Sequence, residues 1–235
     1  MALILSLSKD ARAFLFYVGL IAWTAIMGVA AVPVLPAPRR FLVAASRLWA
    51  QGVLAWLRLT VGLGHRVRGA VPSGRVIVAC RHQSAWETLA LPTIIDDPAV
   101  VLKRELLLIP VFGWYLAAIG MIAVDRAGRA GALRRMMREA RLAVDQGRPI
   151  LVFPEGTRVA PGVRREYHSG IYALYRELSL PVVPVAVDSG HFWPRRSFAK
   201  RPGTITLEFL APILPGLARD DFMAELRRRI DEASA

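Results

Sequence analysis

The sequence feature that most constrains the fold is a run of 26 consecutive uncharged residues from Ala13 to Pro38. About 20 apolar residues are enough for a helix to cross the hydrocarbon core of a bilayer. The run therefore predicts a membrane-seeking helix, ended by prolines, with a cleaved signal peptide as the alternative. Basic residues flank both ends, so the positive-inside rule gives no orientation; they are Lys9, Arg12, Arg39 and Arg40.

A second helix is predicted over residues 41–63. Arg47, Gln51 and Arg58 fall on one narrow face, and leucine, valine and tryptophan side chains fill the other faces. A narrow cationic stripe beside tryptophans is typical of a helix lying in the membrane interface, although a helix packed on a domain core is an alternative. We therefore expect a two-helix membrane-binding unit over residues 1–65, either spanning or re-entrant.

From residue 66 to residue 235, short apolar segments alternate with amphipathic ones. This alternation predicts an α/β domain, in which a mixed sheet is flanked by helices. Asp220 is the expected N-cap of the last helix. The predicted strands cover residues 76–80, 100–102, 121–124, 150–153, 182–187 and 204–209, and the predicted helices cover residues 84–95, 111–119, 131–145, 171–178 and 220–233.

The charge balance indicates an anionic partner. The chain carries 31 Lys and Arg against 18 Asp and Glu, a formal net charge of +13, and 54% of its residues are hydrophobic. This combination favours an anionic lipid surface, and no zinc-finger or RNA-recognition pattern favours nucleic acid. Cys80 is the single cysteine and the four histidines are widely spread, so neither an intramolecular disulfide nor a metal site is predicted.

A histidine and an acid, His82 and Glu87, follow the predicted strand 76–80. Histidine is the commonest general base, and a carboxylate on its second nitrogen would fix its tautomer. Five residues turn a regular helix by about 140°, so the two side chains meet only if His82 precedes the helix and Glu87 lies in its first turns. Ser84 as N-cap would give that geometry; the alternative is a capping histidine and a solvent-facing glutamate.

Three further segments lie at or near predicted strands, whose carboxyl ends bind ligands in open α/β sheets. Lys103 and Arg104 precede an apolar stretch, which indicates an anion contact beside a surface for an acyl chain. Residues 153–158 read Phe-Pro-Glu-Gly-Thr-Arg, a turn whose backbone amides, hydroxyl and guanidinium suit a phosphate. Residues 182–185 form a proline-containing buried strand. Each segment also has an ordinary structural explanation: a solvated charge cluster, a turn and a core strand.

Together the four segments resemble the motifs of the glycerolipid acyltransferase family, which includes the 1-acylglycerol-3-phosphate acyltransferases. The histidine–acid motif corresponds to residues 82–87 and the phosphate and glycerol motif to residues 103–113. The Phe-Pro-Glu-Gly-Thr-Arg motif matches residue for residue at 153–158, and the proline strand corresponds to residues 182–185. The resemblance covers roughly residues 70–190, and the order of the four motifs makes it specific.

The first motif departs from the family pattern Asn-His-x-Ser-x-x-Asp, with Arg81 for the Asn and Glu87 for the Asp. Glutamate can orient the histidine with one more methylene, so we expect activity to survive. The resemblance implies an O-acyltransferase of phospholipid biosynthesis that moves an acyl group from acyl-CoA or acyl-ACP to the sn-2 hydroxyl of lysophosphatidic acid, making phosphatidic acid. It assigns catalysis to His82 and Glu87 and implies no cofactor.

The resemblance also implies a location and partners. The protein is expected at a membrane, the cytoplasmic membrane in a bacterium, with the catalytic domain facing the cytoplasm. Membrane lipids, including an anionic lysophospholipid acceptor, and acyl-CoA or acyl carrier protein are the expected partners, without nucleic acid. Lys103 and Arg158 are assigned to the acceptor phosphate, and the whole expected acceptor site is Lys103, Arg104, Glu155, Gly156, Thr157 and Arg158.

Three alternatives stay open from the sequence. A member of the same family could act on another acceptor, namely a lyso-ornithine lipid, another lysophospholipid or glycerol 3-phosphate. Cys80 and His82 are two residues apart and would suit a thiol hydrolase, although Cys80 equally suits a buried strand. A non-catalytic, basic lipid-binding membrane protein would need no pairing of His82 with Glu87.

Overall fold

A computed structural model describes residues 7–125 and 129–234 of the chain. Its centre is a seven-stranded mixed sheet in the order β1-β7-β6-β2-β5-β3-β4. Neighbouring strands are parallel except β6 and β7, which are antiparallel, so the predicted mixed sheet is confirmed. The strands are β1 (Leu63–Arg68), β2 (Ile77–Cys80), β3 (Ala99–Lys103), β4 (Ile122–Val124), β5 (Ile150–Val152), β6 (Val182–Val187) and β7 (Gly203–Phe209).

Helices cover both faces of this sheet, as predicted. Successive side chains of a strand point to opposite faces, so Val78 and Cys80 of β2 pack on one face while Ile77 and Ala79 pack on the other. The first face is covered by α1, α2 and α3, and the second by α5, α6 and α7. The helices are α1 (Lys9–Ala31), α2 (Arg39–Val61), α3 (Trp86–Ile94), α4 (Phe112–Ala118), α5 (Arg129–Asp145), α6 (Gly170–Leu178) and α7 (Arg219–Ala233).

The first two helices form an antiparallel hairpin held by reciprocal glycine–tryptophan contacts. Gly19 of α1 lies against the Trp56 ring of α2, and Gly52 of α2 lies against the Trp23 ring of α1. A Cβ atom at Gly19 would come within 2.0 Å of the Trp56 indole nitrogen, and one at Gly52 within 2.5 Å of the Trp23 ring. Only glycine therefore allows the two helices to approach this closely.

The hairpin has one buried and one exposed side. Phe16 of α1 and Val53 and Leu57 of α2 are buried in the same core as strand β2. On the other side α1 exposes large apolar side chains, including Phe14 (63% exposed) and Ile26 (60% exposed). Among the described residues, the segment Lys9–Val34 is the one helix long and apolar enough to cross a membrane, with a mean hydropathy of 2.1.

A buried lysine attaches α1 to the α/β part of the chain. The Lys200 side chain is 1% exposed, and its Nζ atom lies 4.9, 3.9 and 4.7 Å from the ring centres of Phe16, Tyr17 and Trp193. Burial lowers the pKa of this amino group to about 8. Because two of the three rings belong to α1, the cation–π contacts fix the helix to the segment that precedes β7.

Strand β1 was not predicted, and the second helix begins and ends two residues earlier than the predicted range 41–63. That helix ends at Val61, where Gly62 takes a left-handed conformation (φ 76°), and Leu63 begins β1. Because β1 is an edge strand, most of its side chains are exposed and the sequence shows no apolar alternation. β1 also spans residues 65 and 66, which is the predicted boundary between the membrane-binding unit and the α/β domain. That boundary stays a prediction.

The predicted element ends after residue 66 lie within two residues of the observed ones. One capping assignment is wrong. The last helix begins at Arg219 with Ala218 at the N-cap position, so Asp220 lies in the first turn. An acid in the first turn also interacts favourably with the positive end of the helix dipole. In the sequence, such an acid therefore looks the same as an acidic N-cap.

Candidate active site

The histidine and the acid of the first motif lie where strand β2 leads into helix α3. His82 is in the connecting turn and Glu87 is the second residue of the helix, as the spacing required. The helix begins at Trp86 with Ala85 at the N-cap position, so the expectation of Ser84 as N-cap is wrong by one residue. Ser84 Oγ nevertheless accepts a 2.8 Å hydrogen bond from the Trp86 backbone N–H, which stabilises the turn before the helix. This turn places His82 Nδ1 3.7 Å from Glu87 Oε1.

The Glu87 carboxylate is held by the backbone of the same turn. The side chain is fully buried, and its Oε1 accepts hydrogen bonds from the backbone N–H groups of Gln83 (2.5 Å) and Ser84 (2.9 Å). Backbone donors stabilise an ionised carboxylate in a place that water does not reach. The acid is therefore fixed beside the imidazole, and the alternative of a solvent-facing glutamate is wrong.

The turn after β5 supports the other side of the histidine. The His82 ring stacks on the Phe153 ring, with 4.3 Å between ring centres, and the His82 carbonyl accepts a 2.8 Å hydrogen bond from the Val159 backbone N–H. Strands β2 and β5 are parallel neighbours, so their carboxyl ends meet at the same edge of the sheet. The first and third motifs therefore form one site.

A second buried carboxyl, that of Glu155, lies under the same loop. It is 3% exposed, and its Oε2 accepts a 3.3 Å hydrogen bond from the His82 backbone N–H. Burial raises the pKa of Glu155 to about 7, against an opposing effect of the nearby Arg81 guanidinium. Arg81 replaces the family's usual Asn; it is itself buried and pairs with Asp231 at 3.2 Å.

A cavity of about 1510 Å³ opens at this edge of the sheet, beneath the α1–α2 hairpin. His82 lines it together with the cationic side chains of Lys103 and Arg158 and with Gly156 and Thr157. The rest of the wall is mainly apolar and includes Leu20, Ile21, Met27, Val29, Leu102, Leu106, Ile109, Phe112 and Leu116. The cavity thus offers an imidazole and cations to a polar group and an apolar wall to a chain.

Two of the predicted acceptor residues do not line the cavity. Arg104 points to Asp125, with 3.5 Å between Nη1 and Oδ2, and Glu155 is buried behind the loop. Lys103 is the last residue of β3 and Arg104 begins the following 3₁₀ turn, so adjacent side chains leave the chain in different directions.

Sequence reasoning missed two cations of the same cavity wall, Arg195 and Arg196. Arg195 Nη1 donates a 3.2 Å hydrogen bond to the Arg158 carbonyl, and Arg196 has a left-handed backbone (φ 62°), which a non-glycine residue seldom adopts. The sequence signal was the Pro-Arg-Arg triplet after β6. Its position beside Arg158 depends on the β6–β2–β5 strand order, which the chain order does not reveal.

The cysteine alternative does not fit this geometry. Cys80 is fully buried, its side chain packs in the core beneath the hairpin, and it is not part of the cavity wall. Burial raises the pKa of the thiol well above its usual range, and the nearby carboxylates of Glu87 and Glu155 raise it further. A nucleophilic cysteine needs the thiolate and access to substrate, and Cys80 lacks both conditions.

The fold and site define an α/β enzyme with a histidine–carboxylate pair beside a cation-bearing apolar cavity. The family model described as Acyltransferase matches residues 64–188. The chain is 35% identical to the 1-acyl-sn-glycerol-3-phosphate acyltransferase of Pseudomonas aeruginosa, over 83% of this chain and 77% of that protein. It is 28% identical to the human 1-acyl-sn-glycerol-3-phosphate acyltransferase alpha, over 89% and 74% respectively. The chain therefore belongs to the acyltransferase family, which confirms the resemblance.

A solved structure supports the fold. The chain superposes on the 1-acyl-sn-glycerophosphate (LPA) acyltransferase PlsC from Thermotoga maritima with a TM-score of 0.77. The match covers 95% of this chain and 93% of that one at 20% sequence identity. The coverage extends to the α1–α2 hairpin, so the hairpin is part of the shared architecture.

Proposed function

We propose that the protein is a 1-acyl-sn-glycerol-3-phosphate acyltransferase. It transfers an acyl group from acyl-CoA or acyl-ACP to the sn-2 hydroxyl of lysophosphatidic acid. The observation that carries the proposal is the joint position of His82, Arg158 and Lys103 on the wall of one largely apolar cavity. The relatives named for this activity, with 35% and 28% identity over most of the chain, support the same acceptor.

In the proposed mechanism His82 acts as the general base. Because Nδ1 faces Glu87, the other ring nitrogen, Nε2, accepts the proton of the acceptor hydroxyl. The freed oxygen attacks the thioester carbonyl, the carbon–oxygen bond forms and the carbon–sulfur bond breaks. The imidazolium then returns its proton to the thiolate that leaves. A thioester is already activated, so positioning and base catalysis account for the acceleration without a covalent acyl-enzyme.

Arg158 and Lys103 bind the phosphate of the acceptor in this proposal. Neither has a carboxylate within 4.0 Å among the described residues, so both cations are available to an anion. Arginine offers two parallel hydrogen bonds to a phosphate, which fixes the hydroxyl relative to His82. Gly156 and Thr157 shape the same end of the cavity, whereas Arg104 and Glu155 would act only indirectly. The absence of a cofactor and of a metal stays a prediction.

Substitution of the base tests the proposed activity. His82→Ala should lower kcat for acyl transfer to lysophosphatidic acid by about 10²–10⁴-fold. His191→Ala is the matched control, since His191 is exposed and does not line the cavity. Near-normal turnover of His82→Ala would overturn the assignment. Inactivity of the wild type itself toward lysophosphatidic acid would instead favour a lipid-binding protein without catalysis.

The acceptor is tested through Arg158. Arg158→Ala should raise the KM for lysophosphatidic acid by about tenfold or more and change kcat little, since the guanidinium binds the phosphate before and during reaction. Arg201→Ala, outside the cavity wall, is the control. If the wild type prefers a lyso-ornithine lipid, which has no phosphate, the acceptor assignment is wrong although the family is right.

We also propose that the α1–α2 hairpin binds the protein to the membrane that holds the acceptor and product. Phe14 and Ile26 are exposed apolar residues of α1 that do not line the cavity, so Phe14→Glu with Ile26→Glu should weaken vesicle flotation. Leu214→Glu with Leu217→Glu is the control on exposed leucines outside the hairpin. Orientation toward the cytoplasm stays a prediction.

A further inference from the structure

Helices α5 and α6 form a basic groove that the proposed reaction does not use. Arg134, Arg138 and Arg141 lie on one exposed face of α5, since steps of four and seven residues nearly complete whole turns. Their row is about 10 Å long, at 1.5 Å per residue. Arg176 of α6 lies across a groove of about 460 Å³ that these side chains line.

The groove carries excess positive charge over an apolar floor. Arg134 and Arg138 have no carboxylate within 4.0 Å among the described residues, whereas Arg141 and Arg176 share Glu177, at 3.4 Å and 2.6 Å. Exposed leucines lie between and beside the arginines: Leu133 is 40% and Leu142 is 57% exposed. A polar rim around exposed apolar side chains is typical of a surface that contacts a protein.

This groove adjoins the catalytic cavity. Leu133 lines both, and the neighbouring α5 residues Ala132 and Met136 line the cavity. The groove also lies away from the hairpin. The buried side of α5, with Met137 and Ala140, packs in the core on the sheet face opposite α1 and α2. Its arginines therefore lie beside the cavity but do not belong to the apolar surface of the hairpin.

We propose that this groove docks an acidic acyl carrier protein that delivers the acyl thioester. The inference rests on the proposed function and names the donor's carrier. A row of guanidinium groups along a helix complements a row of carboxylates along a helix of the partner. The thioester arm would then pass Leu133 into the cavity that holds His82. None of the described residues that line the groove is aromatic, so these residues offer no ring to stack the adenine of coenzyme A.

Charge reversal in the full-length protein tests this docking surface. Arg134→Glu with Arg138→Glu should raise the KM for acyl-ACP by about tenfold or more, because like charges then face each other across the contact. The KM values for acyl-CoA of the same chain length and for lysophosphatidic acid should stay within about twofold. Arg75→Glu with Arg219→Glu makes the same charge change on exposed residues outside the groove and should alter neither donor.

Salt dependence of the wild type gives a second measurement that needs no variant. Raising the salt from about 0.05 M to about 0.5 M should raise the KM for acyl-ACP more steeply than that for acyl-CoA, since screening weakens a contact made by a row of opposite charges more than one made by the few phosphates of coenzyme A. A thermal melt of the double variant should match that of the wild type, and Arg138→Gln should raise the KM for acyl-ACP by a smaller factor.

Three results would overturn the docking proposal. The wild type could use acyl-CoA but not acyl-ACP. The charge-reversed variant could show equally raised KM values for acyl-ACP and acyl-CoA, which would make the groove part of the active site. It could also lose flotation with anionic vesicles while its KM for acyl-ACP stays normal, which would make the groove a lipid contact. Inactivity of the wild type toward lysophosphatidic acid with either donor would instead refute the proposed function.

Discussion

Two buried glutamates flank the same histidine, and their surroundings differ. Glu87 faces the imidazole, with 3.7 Å between Oε1 and Nδ1, and accepts hydrogen bonds from the backbone of Gln83 and Ser84. Glu155 faces the backbone of His82, whose N–H donates a longer hydrogen bond of 3.3 Å to it, and burial raises its pKa to about 7. Nearness to the histidine is therefore not what separates a carboxylate suited to catalysis from one suited to supporting the loop. The two carboxylates differ in the hydrogen-bond donors that surround them and in the part of His82 that they face, the imidazole for Glu87 and the backbone for Glu155.

The largest effect is expected when the Glu87 carboxylate is removed. Glu87→Ala should lower kcat by about 10³-fold, because the imidazole loses the group that orients it and stabilises its charged form. The backbone N–H groups of Gln83 and Ser84 would also lose their acceptor, at about 1–3 kcal/mol each. Steady-state kinetics and a denaturant melt measure the two losses, and unchanged kcat in a folded variant would remove Glu87 from the mechanism.

A neutral side chain of the same size separates charge from shape. Glu87→Gln retains an oxygen that can accept from the backbone but has no negative charge for the imidazolium, so kcat should fall by about 10²-fold. The melting temperature should change less than in Glu87→Ala. Equal kcat values for Glu87→Gln and the wild type would show that the carboxylate works through packing alone.

Glu155→Gln should cost less activity than the same change at position 87, under about tenfold in kcat/KM for lysophosphatidic acid. The amide oxygen can still accept the hydrogen bond from the His82 backbone, and the side chain does not line the cavity. Parallel assays of the two glutamine variants make the comparison. A larger loss from Glu155→Gln than from Glu87→Gln would reverse the roles of the two carboxyl groups.

Shortening the acid at position 87 should have a smaller effect on activity. Glu87→Asp restores the acid that the family motif usually contains, and we expect kcat to fall by about threefold, since the turn is built around the longer side chain. A loss as large as that of Glu87→Ala would show that the Arg81–Glu87 version of the motif has a geometry that aspartate cannot reproduce.

The last expected effect concerns stability and not activity, and it arises from the titration of Glu155. The folded pKa of Glu155 is about 7 and the ordinary value is 4.5, so the folded state binds more protons between these values. The stability that protonated Glu155 contributes is fully present below about pH 4.5 and is lost as pH rises to about 7, with an upper limit of about 3 kcal/mol. Glu155→Gln should lack this loss, measured as the free energy of unfolding at pH 5 and pH 7.5. If the free energy of unfolding changed equally with pH in Glu155→Gln and in the wild type, the raised pKa of Glu155 would be contradicted.

Local patterns in the sequence identified most of the fold and the motif residues. The apolar run 13–38, the alternating segments after residue 66 and the spacing from His82 to Glu87 depend on helix and strand periodicity, which acts over a few residues. The same reasoning failed for β1, because an edge strand needs no apolar alternation, and for Asp220, because an acid in the first turn resembles a cap.

The sequence by itself determined that this chain has an α/β fold with an apolar N-terminal helix and an acyltransferase motif set. The tertiary structure alone decided which motif residues share a cavity. The sheet order brings the ends of β2, β5 and β6 together, so Arg195 joins Arg158 while Arg104 turns away to Asp125. The tertiary structure also buries Glu155, and this burial raises the pKa of its carboxyl group. Burial and charge pairing depend on contacts between distant segments, and periodicity along the chain carries no information about them.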